Sequence, residues 1–197
     1  MAGKPNDIPA ATALELLQAG NERYVADLVR RPNATPRRRL ETGGGQWPFA
    51  IVLTCADSRV TPEMIFDQGI GDIFVARVAG NVASEEVIGS IQYAVNFIGT
   101  QLVVVLGHEA CGAVGAALDP PAKAPKELGN LVGSIQDAIR HKPGRQKSAP
   151  TAAELQKAVE KNVKAQVSTL KSTLKGGETF KVVPACYGLR TGAVSWL

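Results

Sequence analysis

Three residues have the types and spacing of metal ligands: Cys55, His108 and Cys111. Cys55 opens the run Cys55-Ala56-Asp57-Ser58-Arg59, which places a thiol, a carboxylate and a guanidinium within five residues. His108 and Cys111 share the run Gly107-His108-Glu109-Ala110-Cys111-Gly112. Nitrogen and sulfur ligands suit zinc, and three of them leave a tetrahedral ion a fourth position for water or substrate, whereas a structural site takes four. Cys186 lies far along the chain, and His141 sits in a Lys-rich stretch with no ligand beside it. The ligand count therefore favours an open, catalytic site. Taken singly, a cysteine at a strand end is commonly just a small buried hydrophobe. The joint spacing carries the reading.

Two apolar runs must deliver these residues. Residues 49–54 are short, rich in β-formers and bounded by Pro48, and residues 102–106 are a second such run. If both lie parallel in one sheet, all three ligands leave from its carboxyl edge, where open α/β sheets bind ligands. The expected fold is α/β and three-layered: a central, mostly parallel sheet with an antiparallel edge strand, flanked by helices.

Further elements follow from periodicity and punctuation. A first helix is expected over 9–29, with Thr12 as its cap and Leu14, Leu17, Tyr24, Val25 and Leu28 along one face, packed either outward on a neighbour or on its own domain. Residues 30–45, with Pro32, Pro36 and three consecutive glycines, read as a connector. Strand 72–77 leads to a turn in which Gly80 and Asn81 suit positive φ, and Ser84 then caps a helix ended by Gly99. Helices are expected over 128–140 and 151–174, the latter stopped by Gly176-Gly177. Strand 180–183 is expected at the sheet edge, because Pro184 cannot serve a central ladder.

At 197 residues, with 45% hydrophobic and 20% charged residues, the chain suits a globular protein with a sizeable core. Its net charge of +4 is spread or sits in two clusters, Arg30-Arg31 with Arg37-Arg38-Arg39, and His141-Lys142 with Arg145 and Lys147. Neither has interleaved aromatics, which argues against a nucleic-acid partner. No apolar stretch reaches membrane-span length. The start Met1-Ala2-Gly3-Lys4-Pro5 lacks the apolar core of a signal peptide, so the cytoplasm is the expected compartment, an exported form with its signal removed being the alternative.

The pattern Cys-x-Asp-x-Arg, followed some fifty residues later by His-x-x-Cys-Gly, resembles the β-class carbonic anhydrases. The likeness runs from Gln46 to Val114, with weaker support from the first helix and from residues 187–192. It implies a zinc-hydroxide enzyme for the reversible hydration of carbon dioxide to bicarbonate and a proton, with one zinc ion per subunit on Cys55, His108 and Cys111. By the same resemblance, Asp57 and Arg59 are the catalytic pair, and Gln46, Phe74, Ala79, Tyr93 and Gly112 form the substrate pocket. A homodimer or homotetramer is implied, with the pocket at the subunit interface. The chain then divides into a helical arm and connector, residues 1–45, and a zinc-binding α/β catalytic domain, residues 46–197.

Asp57 can orient the attacking group and Arg59 can fork onto its carboxylate, holding it off the metal. Two rivals stand beside this reading. Relatives that hydrolyse carbon disulfide or carbonyl sulfide use the same ligands, and a non-catalytic zinc-stabilised binding protein would keep the Cys and His residues but have no need of Asp57, Arg59 and Gln46. Two departures from the family pattern stand out. Val52 occupies the position where some bacterial members carry a Trp that, with an Arg and a Tyr, forms an inhibitory bicarbonate site, although Arg77 and Tyr187 are present. Glu109 stands where a small hydroxyl residue is common.

Overall fold

The computed structural model describes residues 8–121, 123–141, 149–175 and 180–197. The start of the chain, the basic residues Lys142, Arg145 and Lys147 and the Gly176-Gly177 pair lie outside the described residues.

Among the described residues one five-stranded sheet runs in the order β2-β1-β3-β4-β5, with β1 Ala50–Thr54, β2 Ile73–Arg77, β3 Leu102–His108, β4 Lys181–Tyr187 and β5 Val194–Trp196. The first four are parallel and β5 is antiparallel to β4. Every residue of β1 and β3 is buried, which is why these strands read as continuous apolar runs with no polar alternation.

Alternate residues of the central strands face two helical layers. Val52, Val104 and Leu106 pack with Ala13 and Leu17 of α1 (Ala10–Val25) and with Ile65 of α3 (Pro62–Ile65). Ile51, Leu53, Val103 and Val105 pack with Ile91 of α4 (Glu85–Tyr93) and with Val163 and Leu170 of α7 (Ala152–Thr173). Full burial of a side chain such as Leu17 contributes about 2 kcal/mol of hydrophobic stabilisation. The remaining helices are α2 (Pro36–Glu41), α5 (Gly112–Leu118) and α6 (Lys126–Ile139).

Four expectations are corrected. Strand β4 is interior to the sheet, and β5 is the antiparallel edge. Pro184 is tolerated because its carbonyl accepts from the Leu197 N–H while β5 is registered only from Ala185 onward, so the missing proline N–H faces a side where the ladder has run out. Thr12 caps nothing: α1 starts earlier, with Pro9 at the N-cap, because buried Ala10 and Ala13 carry the apolar face past it. The helix stops at Val25, and Leu28 is 69% exposed beyond Asp27, whose φ of 56° turns the chain away. The stretch read as a connector contains α2, begun by the Thr35 hydroxyl accepting from Arg38 N–H and by Pro36 in the first turn, and a 3₁₀ turn, Thr42–Gly44.

Candidate metal centre

Cys55 follows the last residue of β1, and His108 is the last residue of β3. The two strands are parallel neighbours, so both side chains emerge at one edge of the sheet. From β1 the chain proceeds to β2 on one side, and from β3 to β4 on the other. The site therefore lies at a topological switch point, where diverging connections open a crevice. Ala110, at φ 54°, turns the chain back so that Cys111 arrives as the N-cap of α5.

The ligand atoms of Cys55, His108 and Cys111 lie within 4.8 Å of one another, and all three residues are buried. The two sulfurs are 4.0 Å apart, close to the roughly 3.8 Å that tetrahedral zinc with bonds of about 2.3 Å requires. His108 Nδ1 lies 2.9 Å from the carbonyl oxygen of Glu109. That oxygen can only accept, so Nδ1 carries the proton and Nε2 presents a lone pair. Nε2 is buried and has no hydrogen-bond partner among the described residues. An orphaned acceptor of this kind is costly in a protein interior, and a metal ion satisfies it.

The sulfur pair is poised unevenly. Cys55 is pulled below the ordinary thiol range by its hydrogen bond with Cys111, against the cost of burial and with help from His108 and from the amides of Asp57 and Gly80. Cys111 is pushed up, first by that same bond, then by burial and the neighbouring charge. The opposite directions arise because the two thiols are hydrogen-bonded to each other, and a divalent cation would bind both as thiolates.

Beside the sulfurs, Arg59 forks onto Asp57, with Nε 2.9 Å from Oδ1 and Nη2 2.6 Å from Oδ2. The Arg59 N–H also donates to Oδ1. These bonds outweigh desolvation and hold the Asp57 carboxyl well below the usual carboxylate range. Oδ2 lies 3.9 Å from His108 Nε2, so the carboxylate borders the ligand cluster without joining it. Arg77 is a supporting residue that the spacing did not single out for the metal site. Its Nε donates to the Cys55 carbonyl and its Nη2 to the Asp57 carbonyl, fixing the turn that presents both side chains. The parallel register, Thr54 opposite Arg77, explains its reach.

The pocket residues divide. Gly112 is exposed at the start of α5, beside Cys111. Ala79 lies in the turn Ala79–Asn81, next to the Gly80 amide that donates to Cys55 Sγ. Gln46 is exposed and precedes β1 at the opposite edge of the sheet, separated from Cys55 by the whole strand, roughly 16 Å. Phe74 lies within β2 opposite Ile51. Tyr93 closes α4, is 50% exposed and stacks on Phe97 with ring centroids 5.7 Å apart. His141 is not part of the ligand cluster. Cys186 faces a separate groove of about 460 Å³, where Gln156 Nε2 lies 3.5 Å from its sulfur.

The carbonic anhydrase family profile matches residues 50–194. Carbonic anhydrase 2 of Mycobacterium tuberculosis is 51% identical over 114 residues, which is 58% of this chain and 55% of that protein. The carbonic anhydrase of Mycolicibacterium smegmatis is 48% identical over 114 residues, with the same two shares of 58% and 55%. The chain thus spans little more than half the length of these curated relatives. Among solved structures, a β-carbonic anhydrase of Coccomyxa in complex with acetazolamide superposes with a TM-score of 0.71 at 26% identity, covering 93% of this chain and 85% of that one. One of two tetrameric β-carbonic anhydrases of Sordaria macrospora gives a TM-score of 0.69 at 19% identity, over 93% of this chain and 96% of that one, a likeness of fold alone.

Proposed function

This chain belongs to the β-class carbonic anhydrase family, and from that premise we propose that it catalyses the reversible hydration of carbon dioxide to bicarbonate and a proton. The observation that carries the reading is the convergence of Cys55, His108 and Cys111 with a buried, unpartnered Nε2, bordered by an Arg-held carboxylate. Cys55, His108 and Cys111 would hold zinc. A zinc ion there supplies the Lewis acidity that makes water a nucleophile near neutral pH.

The chain's own groups then have separable tasks. Asp57, ionised and able only to accept, takes a hydrogen bond from the nucleophile's O–H at Oδ2 and so directs its lone pair at carbon dioxide. An acceptor-only molecule in that place meets a repelling carboxylate. Arg59 keeps Asp57 at this station through its two-point grip and prevents it from swinging onto the ligand cluster. Gly112, exposed at the first turn of α5, would offer its N–H to a bicarbonate oxygen.

Gln46 sits too far from Cys55 in its own chain to touch the substrate. Its pocket role therefore calls for a second copy. This supports a homo-oligomer, dimer or tetramer, with the site at the interface. No helix among the described residues is long and apolar enough to cross a membrane.

Stopped-flow hydration of carbon dioxide tests the proposal, using metal-assayed protein before and after chelation and after zinc is returned. Turnover that disappears with the metal and returns with it is the expected result. Zinc-replete protein that turns over carbon disulfide but not carbon dioxide would move the assignment to the sulfur analogues, and inactive zinc-replete protein would leave a binding role.

A further inference from the structure

Cys55 receives a hydrogen bond from outside its own turn: Gly80 N–H lies 3.3 Å from its sulfur. Gly80 has little freedom to move. It is buried at φ 68°, where a side chain is strained, and an added Cβ would stand 2.5 Å from Ile135 Cδ1. Its carbonyl is gripped from the far layer of the fold, accepting from Asn162 Nδ2 at 2.8 Å.

Asn162 belongs to a longer chain of bonds. Its Oδ1 accepts from Gln166 Nε2 at 3.0 Å, and Gln166 Oε1 accepts from the Ala83 N–H at 2.9 Å. Both side chains project from α7, are almost wholly buried, and sit among Val159, Val163 and Val167. A buried amide on an apolar helix face needs partners to offset its desolvation. These two find them at both ends of the turn that carries Gly80, and every donor in the series points the same way, from Ala83 towards Gly80. Linked amides polarise and stiffen one another. The pinned carbonyl holds Gly80 in place, and its φ of 68° relates that fixed peptide plane to the preceding one, which carries the N–H facing the sulfur.

We infer that Asn162 and Gln166 are positioning residues for the metal centre: through the 79–83 turn they hold the Gly80 amide on Cys55 Sγ and so set how much charge that sulfur gives to the metal. The inference rests on the zinc reading above. Outer partners of metal ligands commonly govern affinity and ligand strength in this way.

The test is cobalt(II) substitution of the full chain, read by the sulfur-to-cobalt charge-transfer band, with zinc affinity measured by chelator competition. Removing a hydrogen bond from a thiolate raises its donor level, so Asn162→Leu and Gln166→Met are expected to shift the band to longer wavelength and to weaken zinc binding about tenfold. Val167→Ala, an apolar truncation on the same helix, is expected to lower the melting temperature and leave the band in place. If Asn162→Leu does not fold, Gln166→Met decides, since it keeps the Asn162 to Gly80 bond and removes only its support. A band at the wild-type wavelength in the folded variants, whatever their stability, overturns the inference. A wild-type protein that shows no such band overturns the metal reading itself, a separate and distinguishable failure.

Discussion

Asp57 Oδ2 stands 3.9 Å from His108 Nε2 and 2.6 Å from Arg59 Nη2, between the ligand cluster and the guanidinium. On the proposed function, the carboxylate would accept a proton-bearing group at the open position while Arg59 holds it, and would fill that position itself if released.

Arg59→Ala is therefore expected to lower kcat at least tenfold while zinc content stays at one per chain. A crystal structure of the variant should show Asp57 bound to the metal. Unchanged turnover with water still in the fourth position would contradict this role for Arg59.

Gly80→Ala places a methyl group against Ile135 at a backbone conformation that disfavours any side chain. A loss of about 1–3 kcal/mol in urea unfolding is expected. Because the same amide faces Cys55, zinc retention should fall as well. A variant as stable and as metal-replete as the parent would show that the turn is less constrained than its contacts imply.

Asp67 supplies a pH test away from the metal. Burial pushes its carboxyl up, but the Arg30 N–H, the Arg23 side chain and the Arg31 N–H outweigh that cost, and the net shift is downward. A carboxylate with a depressed pKa in the folded state stabilises the fold above its unfolded pKa, about 3.9, and loses that contribution as pH falls through the folded value. Asp67→Asn should thus cost about 2 kcal/mol at pH 7, and the difference from the parent should shrink below pH 4. A pH-independent difference would place the effect in packing and not in charge.

Metal removal should be visible in stability. A ligand that binds only the folded state at a thousand times its dissociation constant adds about 4 kcal/mol. Chelated protein should melt at a lower temperature than zinc-loaded protein, with recovery on adding zinc alone. Identical melting curves would mean that the ligand cluster holds no ion.

Bicarbonate is expected to inhibit as a simple product, without cooperative inactivation. Val52 of β1 is fully buried against the α1 and α3 layer, Arg77 directs Nε at the Cys55 carbonyl and Nη2 at the Asp57 carbonyl, and the Tyr187 hydroxyl lies 3.3 Å from that of Tyr24. Valine brings no ring N–H to the place of the Trp that completes the inhibitory site. Sigmoidal loss of activity with bicarbonate concentration would contradict this.

What was legible in the sequence follows from how local each signal is. Cys55 and His108 were legible because each ends an uninterrupted apolar run, and parallel pairing then forces them together. Gly80 and Asn81 adopt the positive φ that their types suggest. Pro184 misled because a proline's cost depends on which neighbour its nitrogen faces, and strand order is not a local property. Asn162 and Gln166 lay beside the apolar stripe of α7, and their partners, Gly80 and Ala83, are about eighty residues away, so no spacing announces them. Gln46 illustrates the same limit: its motif position was legible, but its place at the far edge of the sheet emerges only once β1 is laid down. Glu109, noted as a departure, is tied to Arg190 at 3.2 Å while its carbonyl holds His108 Nδ1, a pairing between strand ends that spacing does not reveal.

The central claim is that two sulfurs and one imidazole nitrogen bind a single zinc ion whose fourth position stays open to small molecules. X-ray absorption at the zinc edge of the freshly purified protein tests it most directly. The account predicts two sulfur neighbours at about 2.3 Å, one imidazole nitrogen at about 2.0 Å and one further light atom that small anions exchange. A first shell filled by four protein nitrogen or sulfur ligands, or protein that carries no zinc and takes up none, would contradict it.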